Sequence, residues 1–205
     1  MRDVRFTNVT ALDSDRLHAL FVRHTQPYCH EKLTVRVRYS RSSEFSGSCY
    51  YRDSRIFINL GRKNKYPYRL YVHLAKAQSN SRMWWRRACF LTVENAYELA
   101  LFIYLHELFH FLVKQAGRST RRKEAMCDRF AARVLVDHVG RRITDKFNHD
   151  VPRGVWDFQD LDALVAAAPR VGQLLLFPEL HAARAARRRP DLSGIGATSV
   201  RSAEL

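Results

Sequence analysis

The chain has 205 residues, of which 46% are hydrophobic and 12% aromatic, which is enough apolar material for the core of one domain. This composition excludes a wholly disordered chain, and only 8 Gly and 6 Pro exclude a collagen-like one. A total of 35 Lys and Arg against 20 Asp and Glu gives a net charge of +15. That charge favours an anionic partner such as nucleic acid, although a compositional bias toward Arg would produce it as well.

The sequence contains no apolar run near the roughly 18 residues of a transmembrane helix, and no apolar stretch follows the charges at the N-terminus. The four cysteines are scattered and form no CxxC pair. We therefore expect a cytoplasmic protein with reduced thiols and no membrane partner.

The first part of the chain predicts a helix followed by strands, because apolar residues recur first at helical spacing and then at alternate positions. The predicted segments are a helix capped by Asp13 or Ser14, an alternating strand over 33–39, a Ser- and Gly-rich turn over 42–48, and strands over 49–51 and 55–60 that are joined by a tight turn or form one bulged strand.

The second part predicts helices, and residues 70–91, which precede the first of them, are left unassigned. The predicted helices are 93–115, capped by Thr92; 121–138, stopped by Gly140; 157–168; and 171–177. We expect a single domain over residues 1–180, with a motif-bearing core over 33–140. A basic, disordered tail is expected over 181–205.

Residues 106–110 read HELFH and lie inside the strongest predicted helix. His106 and His110 are four residues apart, so both imidazoles leave the same helix face and can bind one zinc ion. Glu107 is placed to take a proton from a zinc-bound water. An apolar helix has little reason to carry these polar groups without a compensating partner. The alternative is that they simply face solvent.

A zinc site of this kind needs a third protein ligand. Glu124 is preferred because it begins the next predicted helix, 14 residues after His110. Asp128 lies one turn later, where its carboxylate would accept the free N–H of a ligand histidine. The alternatives for the third ligand are His138, His149 and Cys127, and the acidic pair could also be an ordinary solvated face.

The run HELFH followed by EAMCDRFAARVL resembles the gluzincin metallopeptidases, whose second motif is ExxxD on the following helix; it is also similar to the ImmA/IrrE-type peptidases. The resemblance covers residues 45–138. It implies His106, His110 and Glu124 as zinc ligands and Glu107 as the general base. It also implies a compact, zincin-like α+β fold, in which a small, twisted, mainly antiparallel sheet packs on the active-site helix and a second ligand-bearing helix.

In such families an edge strand of the sheet pairs with extended substrate. The resemblance suggests the strand over 55–60 for this role, with Arg55, Phe57 and Asn59 as substrate-binding residues. A peptidase also needs a donor for the oxyanion of the tetrahedral intermediate. The candidates for that donor are His138, His149, Tyr97 and Arg133.

The basic and aromatic run Trp84-Trp85-Arg86-Arg87 has two interpretations. It could stack on and clamp single-stranded nucleic acid. The preferred interpretation is that the Trp pair packs beneath the active-site helix while the Arg pair is solvated.

The sequence therefore predicts a metallopeptidase with one Zn²⁺ per chain. A zinc-bound water activated by Glu107 would attack a peptide bond of a protein or peptide substrate. Three alternatives stay open. The chain could be a SprT-type protease acting on DNA-bound proteins, although that family usually has His as its third ligand. It could be a non-enzymatic, basic nucleic-acid-binding module with a structural metal site, or a latent enzyme whose cleft is blocked.

Overall fold

The computed structural model describes residues 4–25, 28, 33–121 and 123–166. The predicted helix over 171–177, the predicted tail over 181–205 and Cys29 lie outside these residues. The strands of the described part are β1 (Arg5–Asn8), β2 (Thr34–Tyr39), β3 (Phe45–Tyr50), β4 (Arg55–Leu60), β5 (Tyr68–Val72), β6 (Gln78–Ser79), β7 (Trp84–Trp85), β8 (Cys89–Val93) and β9 (Ile143–Thr144). The helices are α1 (Ser14–Thr25), α2 (Ala96–Gln115), α3 (Glu124–Val139), α4 (Arg153–Trp156) and α5 (Leu161–Ala166).

The largest sheet has four strands in the order β1-β2-β4-β3. Helix α1 connects β1 to β2, and such a crossover allows the two strands to run parallel. Strand β4 is parallel to β2 and antiparallel to β3. The α+β class is confirmed, whereas a mainly antiparallel sheet is wrong for this one, because two of its three pairings are parallel.

Strand β3 occupies the edge of this sheet and begins at Phe45. Most of the predicted turn over 42–48 is therefore strand, and Gly47 is paired with Ile58 of β4. The Ser-Gly-Ser centre of β3 lacks the alternating apolar side chains that identify a strand in a sequence. Backbone pairing to the apolar β4 gives this segment its extended conformation.

Two smaller antiparallel sheets complete the β-structure of the described residues. Strands β5, β8 and β9 form one of them, in that order. Strands β6 and β7 form a short hairpin inserted between β5 and β8. Trp84 and Trp85 make up β7 and are 72% and 42% exposed, so the prediction that they pack beneath the active-site helix is wrong.

Helix α2 is the core helix of the fold, with apolar side chains buried around nearly its whole circumference. By length and composition it could cross a membrane, but 83% of its apolar 18-residue stretch is buried inside the protein, as in a core helix. Its N-cap is Asn95 and not the predicted Thr92, which lies in β8. The Asn95 side chain accepts hydrogen bonds from the backbone N–H groups of Tyr97 and Glu98.

Helix α3 packs against α2 and carries the second half of the predicted motif. It begins at Glu124 and ends where Gly140 adopts a left-handed conformation, with a φ of 74°, as predicted from that glycine. Cys127 and Phe130 are fully buried on the face of α3 that contributes to the core. Glu124 and Asp128 therefore reach α2 from a rigidly packed helix.

Candidate metal centre

The two motif histidines lie side by side on α2. The ring centroids of His106 and His110 are 5.1 Å apart, as expected for residues one helical turn apart. Their side chains are only 17% and 10% exposed. Two nearly buried imidazoles are thus presented on one face, and the interpretation that they are ordinary solvated residues is wrong.

Glu124 bridges the two histidines. One carboxylate oxygen lies 3.1 Å from Nε2 of His106 and the other lies 3.2 Å from Nε2 of His110. Two ligands that each lie about 2.0–2.1 Å from a tetrahedral zinc ion are about 3.3 Å apart. The observed separations are close to this value, so small shifts of these side chains would admit one metal ion. The carboxylate is 65% exposed, so this side of the cluster is open to solvent.

Asp128 holds His106 from the other side of the ring. Nδ1 of His106 donates to one carboxylate oxygen of Asp128 at 2.8 Å, and the backbone N–H of His73 donates to the other oxygen at 2.7 Å. This arrangement leaves Nε2 of His106 facing Glu124 and fixes the ring orientation. Nδ1 of His110 is buried and has no hydrogen-bond partner among the described residues, so only one histidine is held in this way.

Cys127 adds a second donor set. Potential ligand atoms of His106, His110 and Cys127 all lie within 4.8 Å of one another, and this group of side chains could hold a metal ion. Cys127 is fully buried, in contrast to the exposed carboxylate of Glu124. The two histidines are common to both sets. The candidates for the third ligand are therefore the solvent-exposed carboxylate of Glu124 and the buried thiol of Cys127.

Glu107 is directed toward the edge strand β3. A Cβ atom added at Gly47 would lie 2.7 Å from Cγ of Glu107, which is closer than real Cβ contacts allow. The glycine therefore provides the space that this carboxylate occupies. Glu107 is 8% exposed and sits where α2 passes the free edge of the large sheet.

The cluster contains strongly interacting charges. Burial opposes protonation of His106, but its hydrogen bonds to Asp128 and Glu124 prevail and raise its pKa to about 10. The hydrogen bond from His106 lowers the pKa of Glu124 to about 2. Burial lowers the pKa of His110 and raises that of Glu107 to about 7. Positive charge at this cluster is therefore stabilised by its acidic neighbours, as a site for a cation requires.

The predicted substrate strand is not at the edge of the sheet. Strand β4 pairs with β2 on one side and β3 on the other, so it has no free edge to offer a peptide. Arg55, Phe57 and Asn59 were predicted to bind substrate because β4 was expected at the edge, and that reason no longer holds. Asn59 is buried, and its side chain donates to Ser46 and accepts from Arg38 within the sheet. Among the residues that the structure describes, β3 is the strand beside Glu107 that pairs on one side only.

The predicted oxyanion donors and the other histidine candidates make their contacts elsewhere. Within the described residues, none has a hydrogen bond or an ion pair with His106, His110 or Glu124. The partners observed are Asp13 for Tyr97, Asp162 for Arg133, the ring of His24 for His138, and Asp145 for His149.

Sequence reasoning missed two contributors to the site, Gly47 and His73. A glycine inside a strand can mark the close approach of another group, but this segment was predicted to be a turn. His73 contributes only its backbone N–H, which any residue except proline would supply, so no signal in the sequence could have identified it.

Among the described residues, Cys49, Cys89 and Cys127 are free cysteines. Comparison of the chain with protein-family models, curated proteins and solved structures gave no match.

Proposed function

We propose that the chain is a zinc-dependent peptidase. The observation that carries the proposal is the contact of both Glu124 oxygens with the Nε2 atoms of His106 and His110, at 3.1 and 3.2 Å. Two imidazoles and one carboxylate form a donor set typical of catalytic zinc, because three protein ligands leave a coordination position for water or substrate. The exposed side of Glu124 is consistent with such an open position.

When bound, zinc would polarise a peptide carbonyl and make a water molecule more acidic. The protein's own groups would then manage the proton. Glu107 is the nearby carboxylate that is not needed as a ligand, and in this proposal it accepts the proton and passes it to the leaving amine. Asp128 keeps His106 in the orientation and tautomer that bind metal through Nε2.

The free edge of β3 supplies a place for an extended substrate. An added strand would hydrogen-bond to the unpaired backbone groups of this edge strand, which gives affinity without a defined sequence. Gly47 of β3 lies against Glu107, so a peptide on this edge would run past the proposed base. The edge therefore supports a protein or peptide substrate over a small molecule.

A second candidate function rests on Cys127. If the thiol joins His106, His110 and Glu124, four protein ligands close the metal site and the metal has a structural role. In that case the chain need not be an enzyme, and Glu107 would be dispensable. The open-site proposal is favoured because the absence of a side chain at Gly47 leaves room for Glu107, which a purely structural metal site would not need.

The decisive experiment compares four proteins for metal content and cleavage of unfolded casein: wild type, Glu124→Ala, Glu107→Gln and Cys127→Ala. Metal is measured by elemental mass spectrometry after purification without chelator. We expect about one zinc per chain in wild type, less in Glu124→Ala, and wild-type metal in the other two. Only Glu107→Gln among the metal-retaining variants should lose cleavage.

Two results would reject the peptidase proposal. Metal lost from Cys127→Ala, with Glu107→Gln indistinguishable from wild type in every assay, would establish the closed structural site. Wild-type protein that binds no metal, even when zinc is supplied, would mean that the HELFH motif carries no metal chemistry.

A further inference from the structure

The hairpin of β6 and β7, together with Arg86 and Arg87 that follow it, forms an exposed aromatic and basic projection, called here the tryptophan hairpin. It is unusual because it places large apolar side chains in solvent. Met83, Trp84 and Trp85 are 62%, 72% and 42% exposed. Such a cluster on a folded surface marks an interaction site more often than chance.

The tryptophan hairpin has a fixed conformation. The side chain of Asn80 accepts hydrogen bonds from the backbone N–H groups of Arg82 and Met83, at 2.9 and 2.8 Å. The backbone N–H of Asn80 donates to the carbonyl of Met83, which closes the turn. The two tryptophans are therefore presented on an ordered ribbon.

The base of the hairpin is tied to the helix that carries Glu124. Arg129 of α3 donates to the carbonyl of Leu74 at 2.8 Å, just before the hairpin begins. Arg86, just after β7, reaches the carbonyl of Ala75 at 3.4 Å. The first contact ties the start of the hairpin segment to α3, and the second joins the two ends of that segment to each other.

The chain segment that contains the hairpin carries only basic charges. Between Asp53 and Glu94 the sequence has nine Lys and Arg and no acidic residue. Arg87 is 47% exposed and has one acidic neighbour, Asp145, at 3.7 Å, a distance at which a surface ion pair contributes little. An anionic partner is therefore complementary to this surface.

We propose that the tryptophan hairpin binds single-stranded nucleic acid. Trp84 and Trp85 are consecutive in a strand, so their rings leave opposite faces of the ribbon. Arg86 and Arg87 follow directly in the chain, and Arg87 is the more exposed of the two. A ring on which a base can stack, next to a cation for the adjoining phosphate, is the combination that binds single strands without sequence preference.

The same geometry disfavours an anionic membrane as the partner. A flat lipid surface can bury the side chains of only one face of the ribbon, and here each face carries one tryptophan. Insertion by the tip would bury the turn Asn80-Ser81-Arg82, which is polar and charged. A flexible single strand can contact both faces, and its unpaired bases are free to stack.

The test measures binding of a fluorescein-labelled 20-mer of thymidine by fluorescence anisotropy, in EDTA so that no metal chemistry contributes. Wild type is compared with a double variant carrying Trp84→Ala and Trp85→Ala. Tyr50→Ala is the matched control, because Tyr50 is also an exposed aromatic, at 53%, but lies in β3 of the four-stranded sheet. Thermal melts of all three proteins establish that the substitutions leave the fold intact.

We expect the double variant to bind at least tenfold more weakly than wild type, since each stacked base contributes about that much, and Tyr50→Ala to stay within about twofold. Raising salt from 50 to 200 mM should weaken wild-type binding about tenfold. Bound oligonucleotide should quench tryptophan emission, and because Trp156 is 2% exposed, the quenched signal comes from the hairpin.

Three results would overturn the proposal. One is equal affinity of the double variant and wild type. Another is that wild type binds duplex DNA as tightly as the single-stranded oligonucleotide and neither quenches tryptophan emission, which would indicate binding by charge alone. The third is that wild type sediments with phosphatidylglycerol vesicles and does not bind the oligonucleotide, while the double variant does not sediment. That result would assign the hairpin to membranes.

Discussion

The backbone of Gly47 on β3 and the side chain of Glu107 on α2 lie so close together that there is no room between them for a Cβ atom at position 47. A Cβ at position 47 would approach Cγ of Glu107 to 2.7 Å and its Cδ to 2.8 Å. The position of the proposed base is thus limited by a residue 60 positions earlier in the chain. The edge strand both borders the site and shapes it.

Replacement of Gly47 by alanine is expected to displace Glu107 without removing the metal ligands. The added carbon would crowd Cγ as well as the carboxyl group, so the buried Glu107 side chain must rotate away from β3, at some cost in stability. A displacement of about 1 Å at a reacting group can cost about 100-fold in rate. We expect Gly47→Ala to retain wild-type metal content and to lose 10- to 100-fold in kcat for casein cleavage.

Gly154→Ala is the matched control for this variant, because a Cβ at that glycine meets nothing within 4 Å. It should cleave casein at the wild-type rate. Wild-type activity in Gly47→Ala would show that Glu107 does not need its observed position.

The helices that carry His106, His110 and Glu124 could be predicted from the sequence because their information is local. The spacing of HELFH fixes two side chains on one face of a helix, and Gly140 ends α3 as its backbone conformation requires. The reach of Glu124 to both histidines follows from its place at the start of the next helix. No long-range pairing had to be known for these predictions.

The neighbour of Glu107 could not be predicted, because strand order is not a local property. RIFINL has the stronger strand pattern and is therefore central, paired on both sides. The strand that borders the site reads FSGSCY and has too few apolar residues to be recognised. The exposure of Trp84 shows the same limit, since composition alone favours burial of a tryptophan.

Asp128 should tune metal affinity through His106. Asp128→Asn keeps the size of the side chain but weakens the acceptor for the Nδ1–H of His106, so the ring is held less firmly and becomes a weaker ligand. Loss of such a partner typically costs 10- to 100-fold in metal affinity. Competition with a chromogenic zinc chelator would measure this change. Asp162→Asn, which alters an exposed carboxylate on α5, should leave the affinity unchanged.

Zinc should stabilise the folded protein, because the cluster exists only when α2 and α3 are packed together. Free zinc at about 1,000 times its dissociation constant would add about 4 kcal/mol to the free energy of unfolding. For a domain of this size that corresponds to an increase in Tm of about 10 °C. Differential scanning fluorimetry in zinc and in EDTA would measure it. An equal increase in a His110→Ala variant would show that zinc binds elsewhere.

His24 should make stability depend on pH without any involvement of the metal centre. Its side chain is buried where α1 faces His138 of α3, with Arg23 adjacent, and burial followed by these charges lowers its pKa to about 4. The unfolded chain, with a pKa of about 6.5, therefore takes up the proton first as the pH falls. The stability associated with neutral His24 is full above pH 6.5 and is lost between pH 6.5 and 4.

From pH 7 to pH 5 this group should cost about 2 kcal/mol. Replacing it with an uncharged residue removes that dependence, so Tm of His24→Gln should fall less than Tm of wild type over the same interval. The comparison is made in EDTA, where the titration of the metal cluster is common to both proteins and cancels in the difference. Parallel declines of the two melting temperatures would show that His24 is as easily protonated in the folded protein as in the unfolded chain.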